Sequence, residues 1–145
     1  MAYKQGEYTP INKEKFCGKR NPIYRSGWEE KFMKLLDTSP NIIKWCSECV
    51  AIPYFDEANK RPRKYFTDFY FELEDGRKMI VEVKPQKEIQ KPVQKQLKTQ
   101  KQKLQYVTEM KTYITNMSKW KSADAFCKAN GIEFKLVTET NFNFF

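Results

Sequence analysis

Residues 65–85 read YFTDFYFELEDGRKMIVEVKP, two apolar runs on either side of Asp75-Gly76 with three charged groups set into them. Asp68 interrupts the first run; Glu82 and Lys84 interrupt the second. Aromatic and β-branched residues flanking Asp-Gly predict a β-hairpin, with strands over residues 65–73 and 78–84. Pro85 closes the second strand because proline has no N–H to give a ladder. A buried carboxylate or ammonium is costly unless it is paired or holds a metal. The hairpin therefore predicts a functional site rather than a plain core.

Side chains alternate faces along a strand, so Glu82 and Lys84 point one way and Val81 and Val83 the other. The loop length decides whether the acids meet. A two-residue Asp75-Gly76 loop would set Asp68 opposite Val83 and leave one acid in each layer. A three-residue Glu74-Asp75-Gly76 loop, with Gly76 in the left-handed position, sets Asp68 opposite Glu82. The second register is predicted. Facing carboxylates raise each other's pKa unless a cation lies between them. Mg²⁺ or Mn²⁺, hard ions that take oxygen ligands and share coordination with water and phosphate, suit such a pair. Lys84 beside them can stabilise developing negative charge or position an attacking water. The combination fits metal-assisted phosphodiester hydrolysis. A surface ion pair of Lys84 with Asp68 or Glu82 is the plainer alternative.

The rest of the composition narrows the chemistry. The chain of 145 residues has no histidine, which removes Ser-His-Asp hydrolysis, Cys-His chemistry and His-ligated zinc. Its net charge of +9 favours anionic partners such as nucleic acid. Cys46-Ser-Glu-Cys49 lacks a second ligand pair for zinc, and the four cysteines read as reduced thiols. No stretch has the roughly 20 apolar residues of a membrane span, nor a secretory h-region, so a cytosolic protein is expected.

Outward from the hairpin, residues 1–22 are polar and punctuated by glycine and proline, an irregular arm before a single domain over 23–145. A helix is expected over residues 27–37: Trp28, Phe32, Leu35 and Leu36 share a face, and Ser26 is an N-cap. A strand over 49–54 and a charged loop over 55–64 precede the hairpin. Lys87, Lys91 and Lys95 would align on a helix, although Pro92 must begin or break it. A helix follows from Leu97, marked by Leu104, Val107, Ile114 and Met117. A shorter one over 122–130 ends at Gly131, and a last strand covers 133–138. The order α-β-β-β-α-α-β predicts an α/β protein, a small mixed sheet flanked by helices.

Asp68 followed by Glu82-Val83-Lys84 after a hairpin-length gap resembles the core of PD-(D/E)XK nucleases, whose restriction-endonuclease-like fold has the same element order. Thr67 departs from that pattern, standing where a proline usually precedes the acid. Arg25-Ser26-Gly27-Trp28-Glu29 resembles the helix-borne acid of many members. Glu82-Val83-Lys84-Pro85 resembles the motif of the endonuclease subunit of cut-and-paste transposases. A narrower resemblance, over residues 21–85, is to the small head-completion nucleases of T-even-like tailed phages. It rests on the stretch from Tyr24-Arg25-Ser26 through Trp28-Glu29 to Phe32-Met33-Lys34, and on Tyr65-Phe66 before Asp68.

The resemblance implies a metal-dependent DNA endonuclease or exonuclease with Asp68 and Glu82 as metal ligands, the Val83 carbonyl as a third, and Lys84 as catalytic lysine. Glu29 would add an outer carboxylate, but Ser26-x-x-Glu29 is equally a capping box. DNA would be the partner, with phage head or neck proteins, in the host cytoplasm or the virion. Trimming or cutting of DNA at the head opening before tail attachment is the implied role. A transposon-end or repair endonuclease, and an inactive DNA-binding virion protein, are the alternatives. Phosphate contacts are expected from Arg61, Arg63 and Lys64 and from Lys87, Lys91, Lys95 and Lys98. No base-reading motif is present, and oligomeric state is open.

Overall fold

The computed structural model describes residues 5–94 and 97–140; Lys95 and the aromatic tail at 141–145 lie outside the described residues. Two short strands, β1 (Gly6–Glu7) and β2 (Ile23–Tyr24), pair antiparallel. They are followed by α1 (Gly27–Thr38), β3 (Ile42–Ser47), β4 (Ala51–Asp56), β5 (Arg61–Phe66), β6 (Phe69–Leu73) and β7 (Lys78–Val83). A 3₁₀ turn (Gln86–Glu88), the 30-residue α2 (Gln100–Ala129) and β8 (Glu133–Val137) complete the order.

The central sheet has the order β3-β6-β7-β8. Its first three strands are antiparallel, and β8 joins β7 in parallel. A parallel pair needs a crossover, which α2 supplies. From Met79 to Val83 every residue of β7 is buried, as expected of a central strand covered on both faces. On one face Phe32, Met33 and Leu36 of α1 pack on Trp45, Phe69, Phe71, Met79, Val81 and Val137. On the other, Ile80 meets Trp120, Ala123 and Cys127 of α2 and Ile52, Tyr54 and Tyr65 of the β4–β5 hairpin. The result is an α/β fold with the restriction-endonuclease-like arrangement of a mixed sheet between helices.

The first helix forms as its residues dictate. The Ser26 hydroxyl accepts from the Glu29 N–H at 3.1 Å, capping one orphan donor. The polar arm is fastened rather than loose. Tyr8 Oη, Ile11 N and Asn12 N all donate to the buried Asp37 carboxylate, at 2.6, 2.7 and 3.0 Å. Against the cost of burial, these bonds hold its pKa below the usual aspartate range. Phe16 packs on Trp45 at 4.8 Å between ring centroids.

Several expectations need correction. Residues 42–47 are a strand that the hydrophobic pattern hides, because a bulge between Ile42 and Lys44 breaks the two-residue period and leaves Ile43 exposed. The charged loop over 55–64 shrinks to a turn, and Arg61, Arg63 and Lys64 lie on β5. This edge strand, with Pro62 in it, is defined by its ladder to β4 and buries only Tyr65. The single long strand over 65–73 divides at Thr67-Asp68, so Tyr65 belongs to the β4–β5 hairpin and Phe69 to the main sheet.

The two helices expected after Leu97 are one. It begins at a capping box in which Thr99 and Gln102 exchange hydrogen bonds, and Gly131, at φ +68°, follows its end. Leu104 and Val107 are exposed, not core. Lys87 and Lys91 do not share an α-helical face: among the described residues between Pro85 and Thr99, helical structure is limited to the 3₁₀ turn at Gln86–Glu88. Cys46 and Cys49, expected to be reduced, are joined in a disulfide, their Cα atoms 6.0 Å apart across a turn with Glu48 at φ +54°.

Candidate active site

The hairpin loop fixes the geometry of the site. Gly76 N donates to Leu73 O at 3.0 Å and Leu73 N to Arg77 O at 2.9 Å, which leaves Glu74, Asp75 and Gly76 as a three-residue loop. Gly76 has φ +92°, a conformation that costs an L-residue and suits glycine. The register pairs Phe69 with Val81. Asp68, one residue before Phe69, therefore stands opposite Glu82, one residue after Val81. Odd loop length sets the two acids opposite each other, as expected, and they lie on the face of the sheet that also carries Ile80, toward α2.

Each acid is held by a specific donor. Val83 N donates to Asp68 Oδ2 at 2.9 Å, and Tyr65 Oη donates to Glu82 Oε2 at 2.5 Å. Burial first, then the Glu82 charge, pushes the Asp68 carboxyl well above the usual range, against the Val83 N–H and the Lys84 ammonium. Burial also raises the Glu82 carboxyl, while the Tyr65 hydroxyl and the charges of Lys84 and Lys119 oppose it. The Tyr65 hydroxyl itself is pushed far up by burial and by its carboxylate partner. Two desolvated acids that disfavour each other's charge are the electrostatic form of a cation site.

The donor set fits a hard divalent ion in chemistry: two carboxylates, with backbone and water oxygens to complete the shell. Among the described residues, no three His, Cys, Asp or Glu side chains gather as a metal cluster, so the set is a pair and not a triad. Glu29 stands apart from that pair yet within its field. Its carboxyl is raised by burial, lowered by the Arg25 N–H, which donates to Glu29 Oε1 at 3.1 Å, and lowered by the Lys84 charge. Its charge also raises Asp68. Glu29 thus does local helix-start work while its charge reaches the site, although the N–H it caps belongs to Arg25 rather than Ser26. Arg25 in turn pairs with Glu48.

Lys84 follows β7, its N–H bonded to Val137 O of the last strand at 3.0 Å. The expected DNA contacts divide into two regions. Arg63 on β5 bonds Asp56 at 3.2 Å; burial, then the charges of Lys84 and Arg63, lowers the Lys119 pKa against the pull of Glu82. Arg61 and Lys64 are exposed on the same strand. Lys87 and Lys91 line a cleft of about 730 Å³ between the segment after Pro85 and the first half of α2, with Tyr106 and Tyr113 on its far wall. Lys98 is exposed just before the α2 cap, and Lys95 lies outside the described residues.

Two residues of the site were not foreseen. Tyr65 reaches Glu82 from the neighbouring hairpin, because the strand is interrupted at Thr67-Asp68. Lys119 of α2 places its ammonium 5.6 Å from the centre of the Tyr65 ring. Its one sequence signal is that position 119 flanks the buried stripe of Asn116, Trp120, Ala123 and Cys127.

A family model described as TnsA-like endonuclease N terminal matches residues 39–139, a span that runs from before β3 through β8 and includes Asp68, Glu82 and Lys84. The chain is also similar to the head completion nuclease of Enterobacteria phage T4. The two are 39% identical over 140 residues, which cover 96% of this chain and 93% of that protein. No helix among the described residues is long and apolar enough to cross a membrane. The mixed sheet, the acids brought together on it and the match over residues 39–139 establish that the chain belongs to the TnsA-like endonuclease N-terminal family.

Proposed function

We propose that this protein is a divalent-metal-dependent DNA nuclease of phage head completion, which trims or cuts packaged DNA before tail attachment. The family supports an endonuclease, and the similarity to a phage head completion nuclease supports the setting, in host cytoplasm or virion with head or neck proteins as partners. The observation that carries the chemistry is the β6–β7 register, which sets Asp68 against Glu82 with Lys84 two residues further on.

Asp68, Glu82 and the Val83 carbonyl would hold Mg²⁺ or Mn²⁺, with Glu29 as an outer carboxylate. When bound, the ion would supply Lewis-acid polarisation of the phosphate and a more acidic water. The chain's own residues do the rest. The Val83 N–H and the Tyr65 hydroxyl orient the two carboxylates, so that neither must reorganise when substrate binds. Lys84 contributes positive charge where the phosphorane becomes more negative, and its ammonium can hold the attacking water by a hydrogen bond. Lys87, Lys91 and Lys98, with Arg61, Arg63 and Lys64, would track the phosphate backbone without reading bases.

The test is conversion of supercoiled plasmid by the purified protein with Mg²⁺, beside Asp68→Ala and Lys84→Ala. Nicking or linearisation by the wild type that is lost in both variants is the expected result. Equal cleavage by all three proteins, or by none, would overturn the proposal.

A further inference from the structure

We propose that Lys119 is a substrate-contacting residue of this site, its ammonium binding a non-bridging oxygen of the DNA phosphate under attack from the α2 side while Lys84 approaches from β7. This deepens the nuclease reading and rests on it. Lys119 is partly buried on the helix face that packs against the β4–β5 hairpin, beside Asn116, Trp120 and Ala123. Its Nζ lies over the Tyr65 ring, whose hydroxyl holds Glu82, so the cation forms part of the wall around the acids.

No carboxylate lies within ion-pair distance of Lys119 among the described residues. Asp68 and Glu82 act on it only through their field, and Lys84 and Arg63 oppose it. A half-desolvated ammonium is costly to keep without a hydrogen-bonded anion. The two acids have donors of their own in the Val83 N–H and the Tyr65 hydroxyl. Lys119 on α2 and Lys84 after β7 thus both act on the acid pair, Arg63 on β5 is already bonded to Asp56, and Lys119 is left without a hydrogen-bonded anion of its own, which a phosphodiester would supply. Partial burial and the place over the Tyr65 ring set Lys119 apart from exposed lysines of α2 such as Lys101, Lys103, Lys111 and Lys121.

The experiment compares Lys119→Gln, Lys119→Arg and Lys119→Met with the wild type. Lys119→Met keeps an apolar stem over Tyr65 and removes only the charge. Affinity for a labelled duplex is read by anisotropy across a salt series, and the single-turnover cleavage rate is read with Mg²⁺. The Gln and Met variants are expected to lose about one phosphate contact, a salt-dependence slope shallower by about 0.9. Their cleavage is expected to fall roughly a hundredfold, the scale of removing one preorganised donor from a transition state. Lys119→Arg should restore the slope and most of the rate. A wild-type slope in Lys119→Met, whether or not its melting temperature changes, would overturn the proposal and leave the lysine a packing residue of Tyr65. Because the slope is a binding measurement, it separates this failure from failure of the nuclease reading, which would show as an inactive wild type.

Discussion

Tyr65→Phe tests the electrostatic heart of the site with the loss of one oxygen. Tyr65 is 3% exposed and Glu82 5%, so water has little access to replace the phenol. The hydrogen bond removed runs 2.5 Å from the Tyr65 hydroxyl to Glu82 Oε2. A hydrogen bond to a charged group contributes about 1.5–3 kcal/mol, and a buried acceptor left without its donor sits at the upper end. A domain of this size loses roughly 3 °C of melting temperature per kcal/mol, so the variant should melt about 5–9 °C lower. Differential scanning calorimetry at neutral pH makes the measurement. Tyr54→Phe, in the same buried cluster, is the control for deleting a tyrosine oxygen in itself. Mg²⁺-dependent cleavage should also weaken, because Glu82 loses its orienting donor. A melting temperature within about 1 °C of the wild type would refute the view that Tyr65 and Glu82 form a dry, charge-assisted pair.

Gly76→Ala should cost about 1–2 kcal/mol by urea denaturation, because φ +92° penalises any Cβ even though nothing lies within 4 Å of it; an unchanged midpoint would refute the three-residue loop. Asp56 accepts from Asn59, Thr115, Arg63 and the Ala58 N–H, and these bonds, Asn59 first, hold its carboxyl below the usual aspartate value. Its contribution to stability is thus complete above the unfolded value near 3.9 and is lost as pH falls through the folded value. The melting-temperature gap between wild type and Asp56→Asn should therefore narrow below about pH 4, and a gap independent of pH would count against that role. Along α2, Trp120→Ala should cost about 3–5 kcal/mol, whereas Leu104→Ala, at a residue 61% exposed, should stay within about 0.5 kcal/mol. Equal losses in chemical denaturation would mean that the first half of the helix is packed after all.

Features that local physics decides could be read from the residues alone. Ser26 had to cap α1 because its hydroxyl answers an orphan N–H. Gly131 could end α2 because it adopts φ +68° without strain. The parity of the Glu74-Asp75-Gly76 loop was enough to place Asp68 opposite Glu82, since a strand's side chains alternate and one residue of slip would have separated the acids. Features set by partners distant in the chain were not legible. Residues 42–47 gain strand structure from β6 across a bulge, and residues 61–66 gain theirs from β4 despite four exposed residues before Tyr65. The seam at Thr67-Asp68 exists because one side of it pairs with β4 and the other with β3 and β7, a choice no local pattern encodes. The α2 helix runs unbroken through Ser118, whose hydroxyl bonds the Ile114 carbonyl at 2.9 Å, so the two helices expected there are one. Among many lysines, only the docking of α2 on the β4–β5 hairpin selects Lys119. Alternation and turn parity act over a few residues and so determined the acid pair; the phenol and the second cation around it come from other elements, and tertiary packing alone decided those.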